Sequence, residues 1–241
     1  GGSLILKNMD KYSDLDLIVV VDPEKYQEVL NERKEIAKSI GPLLEAFTGE
    51  HVGEPRLLIC LYGPPLLHVD FKFVSINEVK ERVEDPLIIW ERDATLTENI
   101  FEGKVRSPAL DLNWIEDRFW IWVHYVATKI GRGELFEVID ALGFLRSKVL
   151  GPMIQVKVGA WPQVVRKIEQ HGASYIKKLQ RTVPTYDSFG CLSAINATIE
   201  LYRDLRKELN QGKNEVISKV ELEAVKYLKE IEKEIKSHDK A

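Results

Sequence analysis

The sequence predicts an α/β domain followed by an all-helical domain, and two observations support this division. Up to residue 108, short runs rich in β-branched residues alternate with stretches of helical periodicity. Beyond residue 108, the apolar residues recur only at helical spacing. We therefore expect a first domain over residues 1–108 and a helical domain over residues 109–241, joined by a polar stretch from Ala94 to Pro108.

The first domain is expected to contain four strands. Residues 14–21 read DLDLIVVV, a run rich in β-branched side chains, and a helix follows between Pro23 and Gly41. Ser75 and Glu78 have the spacing of a capping box, which predicts a helix start directly after the third strand. The predicted strands cover residues 14–21, 57–62, 67–74 and 86–90.

The second domain is predicted to consist of helices alone. Glycine and proline interrupt the helical periodicity at Gly131, Gly151-Pro152, Pro184 and Gly212. The last helical stretch carries Lys and Glu at i, i+4 spacing, which is typical of a solvated helix surface. The predicted helices cover residues 111–131, 134–148, 162–181, 188–210 and 215–237.

Composition and charge argue against several classes of protein. The chain has 34 Lys and Arg against 38 Asp and Glu, and this net charge of −4 argues against a general nucleic-acid-binding protein. No apolar run approaches the about 18 residues that a membrane helix needs, and no signal peptide is recognisable. Two cysteines, Cys60 and Cys191, make neither a disulfide framework nor a zinc site. We expect buried free thiols and a cytoplasmic location, with no membrane partner.

Three aspartates are the residues most indicative of chemistry. Because side chains alternate along a strand, Asp14 and Asp16 are expected to point to one side, and His68, Asp70 and Lys72 share a side of the later strand. Carboxylates about 4 Å apart repel by roughly 4 kcal/mol per pair at an effective dielectric constant of about 20. The sequence therefore predicts a cation among the three aspartates.

The ligand types favour magnesium bound together with a phosphate. Hard carboxylate oxygens shared with substrate phosphates suit Mg²⁺, and two ions about 3.5–4 Å apart bind the attacking and leaving oxygens of a phosphoryl displacement. Gly2-Ser3 fits the same picture, because a glycine lets the backbone approach a phosphate closely. Its N–H groups and the Ser3 hydroxyl can contact the phosphate oxygens.

Taken together, Gly2-Ser3, the run Ser13-Asp14-Leu15-Asp16-Leu17 and the later Asp70 resemble the nucleotidyltransferase superfamily that includes DNA polymerase β. The resemblance implies a mixed-sheet catalytic domain in which Gly2 and Ser3 hold the triphosphate. It implies that Asp14 and Asp16 bind two Mg²⁺ ions and that Asp70 completes the metal site. It also implies transfer of a nucleoside monophosphate from a nucleoside triphosphate to a hydroxyl, with release of pyrophosphate.

The helical half is similar to the helical domain of the aminoglycoside 6-adenylyltransferases. The similarity lies in residues 111–120, 125–129 and 132–140. It implies that AMP is transferred from ATP to a hydroxyl of a small, aminoglycoside-like acceptor. A nucleotidyl transfer to a protein or to RNA is an alternative, with RNA disfavoured by the net charge. A catalytically degenerate member that binds nucleotide or a partner protein is another.

The sequence departs from the superfamily at two places. Relatives often carry a small basic and glycine-containing stretch shortly after Gly-Ser, whereas Leu6 and Lys7 stand there in this chain. Lys7 or Lys11 would then supply the positive charge. The superfamily also places a helix and a strand before Gly-Ser, and this sequence begins at Gly1, so we expect that upstream segment to be missing from it.

Further charged residues have two interpretations each. Lys72 lies beside the predicted site, where it contacts phosphate or neutralises Asp70. Glu134, Glu137 and Asp140 share one helix face, which either binds a cationic acceptor or supplies a general base, or is an ordinary exposed face.

Overall fold

The computed structural model describes residues 2–5, 9–106, 109–210 and 217–238. The chain forms two compact units, Gly1–Ser107 and Pro108–Ala241. The first contains a four-stranded sheet with helices and the second is helical, so the expected combination of a mixed sheet and a helical C-terminal region is confirmed.

The first unit is built around a mixed sheet with the strand order β1-β4-β3-β2. β1 and β4 pair in parallel, and the other two pairs are antiparallel. A second, two-stranded parallel sheet pairs β5 with β6. The strands are β1 (Leu15–Val21), β2 (Leu43–Gly49), β3 (Glu54–Tyr62), β4 (Leu67–Ser75), β5 (Glu81–Arg82) and β6 (Lys104–Val105). The helices are α1 (Gly2–Ile5), α2 (Tyr26–Ile40) and α3 (Thr95–Glu102).

One face of the four-stranded sheet forms the core of this unit. Helix α2 contacts β2, β3 and β4, and Ala37 of the helix is buried among sheet residues. The alternation of β4 turns its apolar residues to this face, which leaves the polar residues of the strand on the other face. The buried residues of this core are Ala37, Ala46, Leu58, Cys60, Tyr62, Val69, Phe71 and Phe73.

The structure corrects three expectations in the first unit. Residues 86–90, predicted as a strand, form no strand, and Ile89 and Trp90 are exposed. β2 was not predicted, since it is an edge strand with an irregularity at Leu43/Glu45 that breaks its alternation. α3 lies in the stretch predicted to be irregular, and its first turn is capped by Glu91, which accepts a hydrogen bond from the Thr97 N–H at 2.8 Å.

The capping box is confirmed, although the helix that it starts is one short 3₁₀ turn. The Ser75 N–H donates to Oε2 of Glu78 at 2.7 Å, and the turn covers Ile76–Glu78. Cys60 and Cys191 are both free and buried, as expected.

The second unit packs long helices around one apolar core. α4 contacts α10, α5 and α9, and residues of these helices form the buried cluster. No helix among the described residues is both long and apolar enough to cross a membrane. The helices are α4 (Leu112–Gly131), α5 (Leu135–Leu145), α6 (Gly151–Lys157), α7 (Ile168–His171), α8 (Ile176–Gln180), α9 (Ser188–Leu209) and α10 (Lys219–His238).

Two helix boundaries differ from the prediction. Gly151-Pro152 does not interrupt the helix, because a π turn over Arg146–Leu150 joins α5 to α6 and the proline falls in the first turn of α6. The long helix predicted over 162–181 is replaced by α7, α8 and turns. Val164 and Lys167 have positive φ angles of 52° and 53°, which a right-handed helix cannot contain.

A buried ionic cluster ties α4, α9 and α10 together. Arg206 of α9 is 11% exposed, and its Nη1 donates to Glu116 of α4 at 3.0 Å and to Glu221 of α10 at 3.1 Å. The Tyr202 hydroxyl and the Trp120 indole also donate to Glu116. Burial by itself raises the pKa of Glu116, but these hydrogen bonds and Arg206 outweigh burial and lower it. The cluster therefore links α4, α9 and α10 through one arginine.

We predict that Arg206→Met destabilises the chain by about 3 kcal/mol, because removing the arginine leaves the buried Glu221 carboxylate and the partly buried Glu116 carboxylate without full compensation. The free energy of unfolding by urea measures this effect. Arg181→Met is the matched control, since Arg181 and Glu200 form an ion pair in which both side chains are about 60% exposed. That change should cost less than about 1 kcal/mol. Equal losses in the two variants would contradict the role given to the buried cluster.

Candidate functional site

Asp16 and Asp70 lie directly opposite each other on neighbouring strands. The parallel pairing of β1 with β4 makes them register partners, with Leu15 opposite Val69 and Leu17 opposite Phe71. Since Val69 and Phe71 are buried in the core beneath the sheet, the alternation turns both aspartates to the other face. The pairing thus places two carboxylates side by side on the face that α2 does not cover.

Gly2 lies against the carboxylate of Asp16. Its N–H donates to Oε1 of Glu84 at 3.3 Å, and its φ angle is +58°, a conformation that favours glycine. A side-chain carbon at position 2 would overlap Oδ2 of Asp16. The structure therefore brings the first residue of the predicted Gly2-Ser3 turn to one of the predicted metal ligands. The Ser3 side chain and residues Leu6 and Lys7 lie outside the described part of the chain.

Asp14 directly precedes β1, which begins at Leu15. It is partly buried and has no hydrogen-bond or ion-pair partner among the residues that the structure describes. Across that same part of the chain, no group of three or more His, Cys, Asp or Glu side chains is arranged to hold a metal ion. The predicted three-aspartate metal site thus has two members brought together by strand pairing, with the third at the adjoining end of β1.

These residues fit a magnesium ion that is shared with a phosphate. Mg²⁺ usually keeps several waters and is bound through one or two carboxylates together with substrate phosphates, so it does not require a closed cage of protein ligands. The Asp16 and Asp70 carboxylates supply hard oxygen ligands, and the missing Cβ of Gly2 leaves space beside Oδ2 of Asp16. An ion bound together with a triphosphate would use both the carboxylate oxygens and the space beside Gly2.

His68 is a member of this face that the sequence did not single out. Its Nε2 lies 2.9 Å from Oδ1 of Asp70, and its side chain is 49% exposed. Its position two residues before Asp70 already placed it on the same side of the strand. Spacing alone, however, does not distinguish a hydrogen-bonded histidine from a solvated one, and that distinction required the structure.

Lys72 takes part in an ionic network with residues of β3. Its Nζ lies 2.8 Å from Oε2 of Glu54. Arg56 donates from Nε and Nη2 to the same carboxylate, each at 2.7 Å, and its Nη1 reaches Glu78 at 2.6 Å. The observed partner of Lys72 is therefore Glu54, a third possibility beside the two predicted for it, and its contact with phosphate stays a prediction.

The same network shifts a carboxyl pKa. Hydrogen bonds from Arg56 are the largest cause, and although burial opposes them, Lys72 adds to them and the pKa of Glu54 falls to about 2. The positive charges on this part of the sheet are consequently held by Glu54 and Glu78, away from Asp70.

In the helical unit, Lys129 partly neutralises the predicted acidic surface. Its Nζ forms an ion pair with Glu134 and lies 3.1 Å from Glu137, whose carboxylate also accepts a hydrogen bond from the Tyr125 hydroxyl. Asp140 is exposed, and among the described residues it has no such partner. Two of the three acidic residues are thus engaged within their own unit, which favours the interpretation as an ordinary helix face.

We predict that Glu54→Gln flattens the acid dependence of stability. A carboxylate whose pKa falls on folding stabilises the folded state above its unfolded pKa, and this contribution is lost as the pH falls to the folded pKa. That window runs here from the ordinary value of 4.5 down to about 2. The free energies of unfolding by urea of wild type and variant should differ most at neutral pH and converge through this window.

Glu45→Gln is the control for this experiment, because the ion pair of Glu45 with Lys34 lies at the exposed surface. Its pH profile should stay close to that of the wild type. Parallel profiles of wild type and Glu54→Gln would show that the Glu54 network does not stabilise the sheet.

We also predict that Gly2→Ala weakens divalent-cation binding, because the added methyl group overlaps the Asp16 carboxylate and displaces it. Mn²⁺ binding, followed by electron paramagnetic resonance as a substitute for Mg²⁺, measures the loss. Gly53→Ala is a matched control: Gly53 also has a positive φ angle, +76°, but a methyl group there meets nothing within 4 Å. Both variants carry the backbone strain, so equal binding by the two would contradict the steric argument.

Comparisons with known proteins show a similarity to solved structures. No protein-family model and no curated protein matches the chain. Among solved structures, the chain is similar to the crystal structure of an aminoglycoside 6-adenyltransferase from Bacillus subtilis. The two share 14% sequence identity with a TM-score of 0.44, over 90% of this chain and 88% of that one.

Proposed function

We propose that this protein is a magnesium-dependent nucleotidyltransferase that moves AMP from ATP to a hydroxyl of a small molecule and releases pyrophosphate. One observation carries the proposal: Asp16 and Asp70 are register partners on parallel strands, and the backbone of Gly2 lies against the Asp16 carboxylate. Two adjacent carboxylates next to the backbone of a glycine are suited to an ion and a triphosphate bound together.

Each residue of the site has a proposed role. Asp14 and Asp16 hold the ions through carboxylate oxygens, and Asp70 completes the set from the neighbouring strand. Gly2 and Ser3 contact the terminal phosphates, where the absence of a side chain on Gly2 permits close approach. Lys72 lies on the same strand face as Asp70, and it reaches phosphate only if its ion pair with Glu54 opens. A bound Mg²⁺ would neutralise the charge that develops on the transferred group.

The proposed reaction is a displacement at the α-phosphorus of ATP. The acceptor hydroxyl forms a new bond to the α-phosphorus, the bond between that phosphorus and the β-phosphate oxygen breaks, and pyrophosphate leaves. Asp70 accepts the proton of the acceptor hydroxyl, since a positioned carboxylate is a competent general base. Alignment and charge neutralisation supply most of the acceleration in transfers of this kind.

The proposed acceptor is a small, hydroxyl-bearing, aminoglycoside-like molecule. The pattern of residues 111–140 and the net charge of −4 support this choice, because a negatively charged chain attracts a cationic acceptor better than it attracts RNA. Lys129 partly neutralises Glu134 and Glu137. The attraction of a cationic acceptor to the chain therefore does not depend on that helix face alone.

We predict that Asp16→Asn and Asp70→Asn each reduce ATP-dependent pyrophosphate release by at least about 100-fold, because each removes a charge that aligns the reacting phosphate. The reaction is followed with a panel of aminoglycosides, and mass spectrometry detects an acceptor that has gained one AMP. Asp22→Asn is the matched control: Asp22 follows β1 directly, but its carboxylate accepts a hydrogen bond from the Glu24 N–H at 3.0 Å and caps a turn.

The outcomes separate the alternatives. Labelling of a protein or of RNA in a lysate supplied with labelled ATP would replace the small-molecule acceptor. Nucleotide binding without pyrophosphate release on any acceptor would identify a non-catalytic member. Unchanged turnover in Asp16→Asn and Asp70→Asn would overturn the proposed site.

A further inference from the structure

His68 is directly linked to Asp70. Its Nε2 lies 2.9 Å from Oδ1 of Asp70, and among the described residues no other side chain hydrogen-bonds this carboxylate. Because an ionised carboxylate only accepts hydrogen bonds, Nε2 carries the hydrogen in this contact. Asp70 is 21% exposed, so the bond lies on the partly open face of the sheet.

The neighbouring cation does not compete for this role. Lys72 follows Asp70 on the same side of β4, but its ammonium group lies 2.8 Å from Glu54. Glu54 is also bound by Arg56 through two hydrogen bonds, which keeps the carboxylate in place as the partner of Lys72. The orientation of Asp70 is therefore set by its contact with His68 and not by Lys72.

The contact leaves room for an ion on the same carboxylate. His68 uses Oδ1, whereas Oδ2 of Asp70 has no hydrogen-bond donor among the residues that the structure describes. A carboxylate has about four lone-pair positions, so one donor on Oδ1 is compatible with a cation on Oδ2. Asp16 lies directly opposite on β1 and brings a second carboxylate to this face.

We propose that His68 is a positioning residue, whose Nε2–H holds the Asp70 carboxylate in the orientation in which it shares a divalent cation with Asp16. This inference rests on the proposed function and deepens it, because it assigns the group that prepares the site before the ion arrives. Carboxylate ligands are themselves usually hydrogen-bonded, and loss of such a partner typically weakens metal binding by about 10- to 100-fold. His68 is not itself a ligand through Nε2, since that nitrogen carries the donated hydrogen.

Two substitutions that differ by one methylene test the proposal. In His68→Gln, the side-chain amide nitrogen reaches about as far as Nε2 of histidine and can still donate to Asp70. In His68→Asn, the amide nitrogen corresponds to Nδ1 and falls short. We expect His68→Asn to weaken Mn²⁺ binding by about tenfold or more, and His68→Gln to retain most of the affinity. Electron paramagnetic resonance with the full chain measures free and bound Mn²⁺.

Two further measurements keep the result interpretable. Thermal unfolding shows whether the variants are folded, and similar midpoints for the two His68 variants assign the difference in affinity to the hydrogen bond. His68 is half exposed, so little loss of packing is expected in either variant. Asp16→Asn serves as the binding-deficient reference, because it removes a proposed ligand on the opposite strand.

Each outcome has a distinct meaning. If the His68→Asn variant binds Mn²⁺ as tightly as the wild type, the positioning role is overturned, while the proposed function stays intact. Equal weakening in both variants would also overturn it, and would indicate that the imidazole ring itself binds the ion. A wild-type chain that binds no Mn²⁺, with or without ATP, would overturn the proposed function and this inference with it.

Discussion

The adjacency of two carboxylates across a pair of parallel strands is the constraint on which the first unit depends. Asp16 and Asp70 cannot separate without a change of register between β1 and β4. The register is held in turn by the apolar residues on the other face, where Leu17 lies opposite the buried Phe71. A slip of one residue would turn a charged side chain into the core, which is far more costly than the repulsion between the two aspartates. Core packing therefore keeps the two aspartates adjacent on the open face.

The basic side chains of Arg56 and Lys72, on β3 and β4, are paired with glutamates. Glu54 binds both Arg56 and Lys72, the lysine that follows Asp70 on the same side of β4. The hydrogen-bond donor on Asp70 is instead an imidazole, which brings no obligatory positive charge. This arrangement stabilises the sheet with one set of ion pairs, next to the carboxylates of the proposed site. Glu54 thus has a structural role in the sheet, whereas the role proposed for Asp70 is functional.

The helical unit uses buried charges for the opposite purpose. Glu116 and Glu221 both contact Arg206, and Trp120 and Tyr202 donate further hydrogen bonds to Glu116, so these charges are compensated inside the unit. Buried groups that are fully paired specify which helices pack together, and they are poorly suited to binding a ligand. This is why the strongly shifted pKa of Tyr202, raised by burial and by Glu116, marks a structural cluster.

The sequence by itself determined the elements with strong local signals. Alternation and β-branched composition identified β1, β3 and β4, and helical periodicity identified α4, α9 and α10. The same alternation placed Asp16 and Asp70 on strand faces opposite to the apolar residues. The edge strand β2, the capped helix α3 and the exposed residues 86–90 were missed or wrong, because partners distant in sequence decide whether such segments form regular structure. Only the tertiary structure decided that Asp16 meets Asp70, that Gly2 lies against Asp16, and that Lys72 binds Glu54 while His68 binds Asp70. Those contacts depend on which strands pair and in which register, and the pairing is chosen by the packing of the whole sheet rather than by any local run of residues.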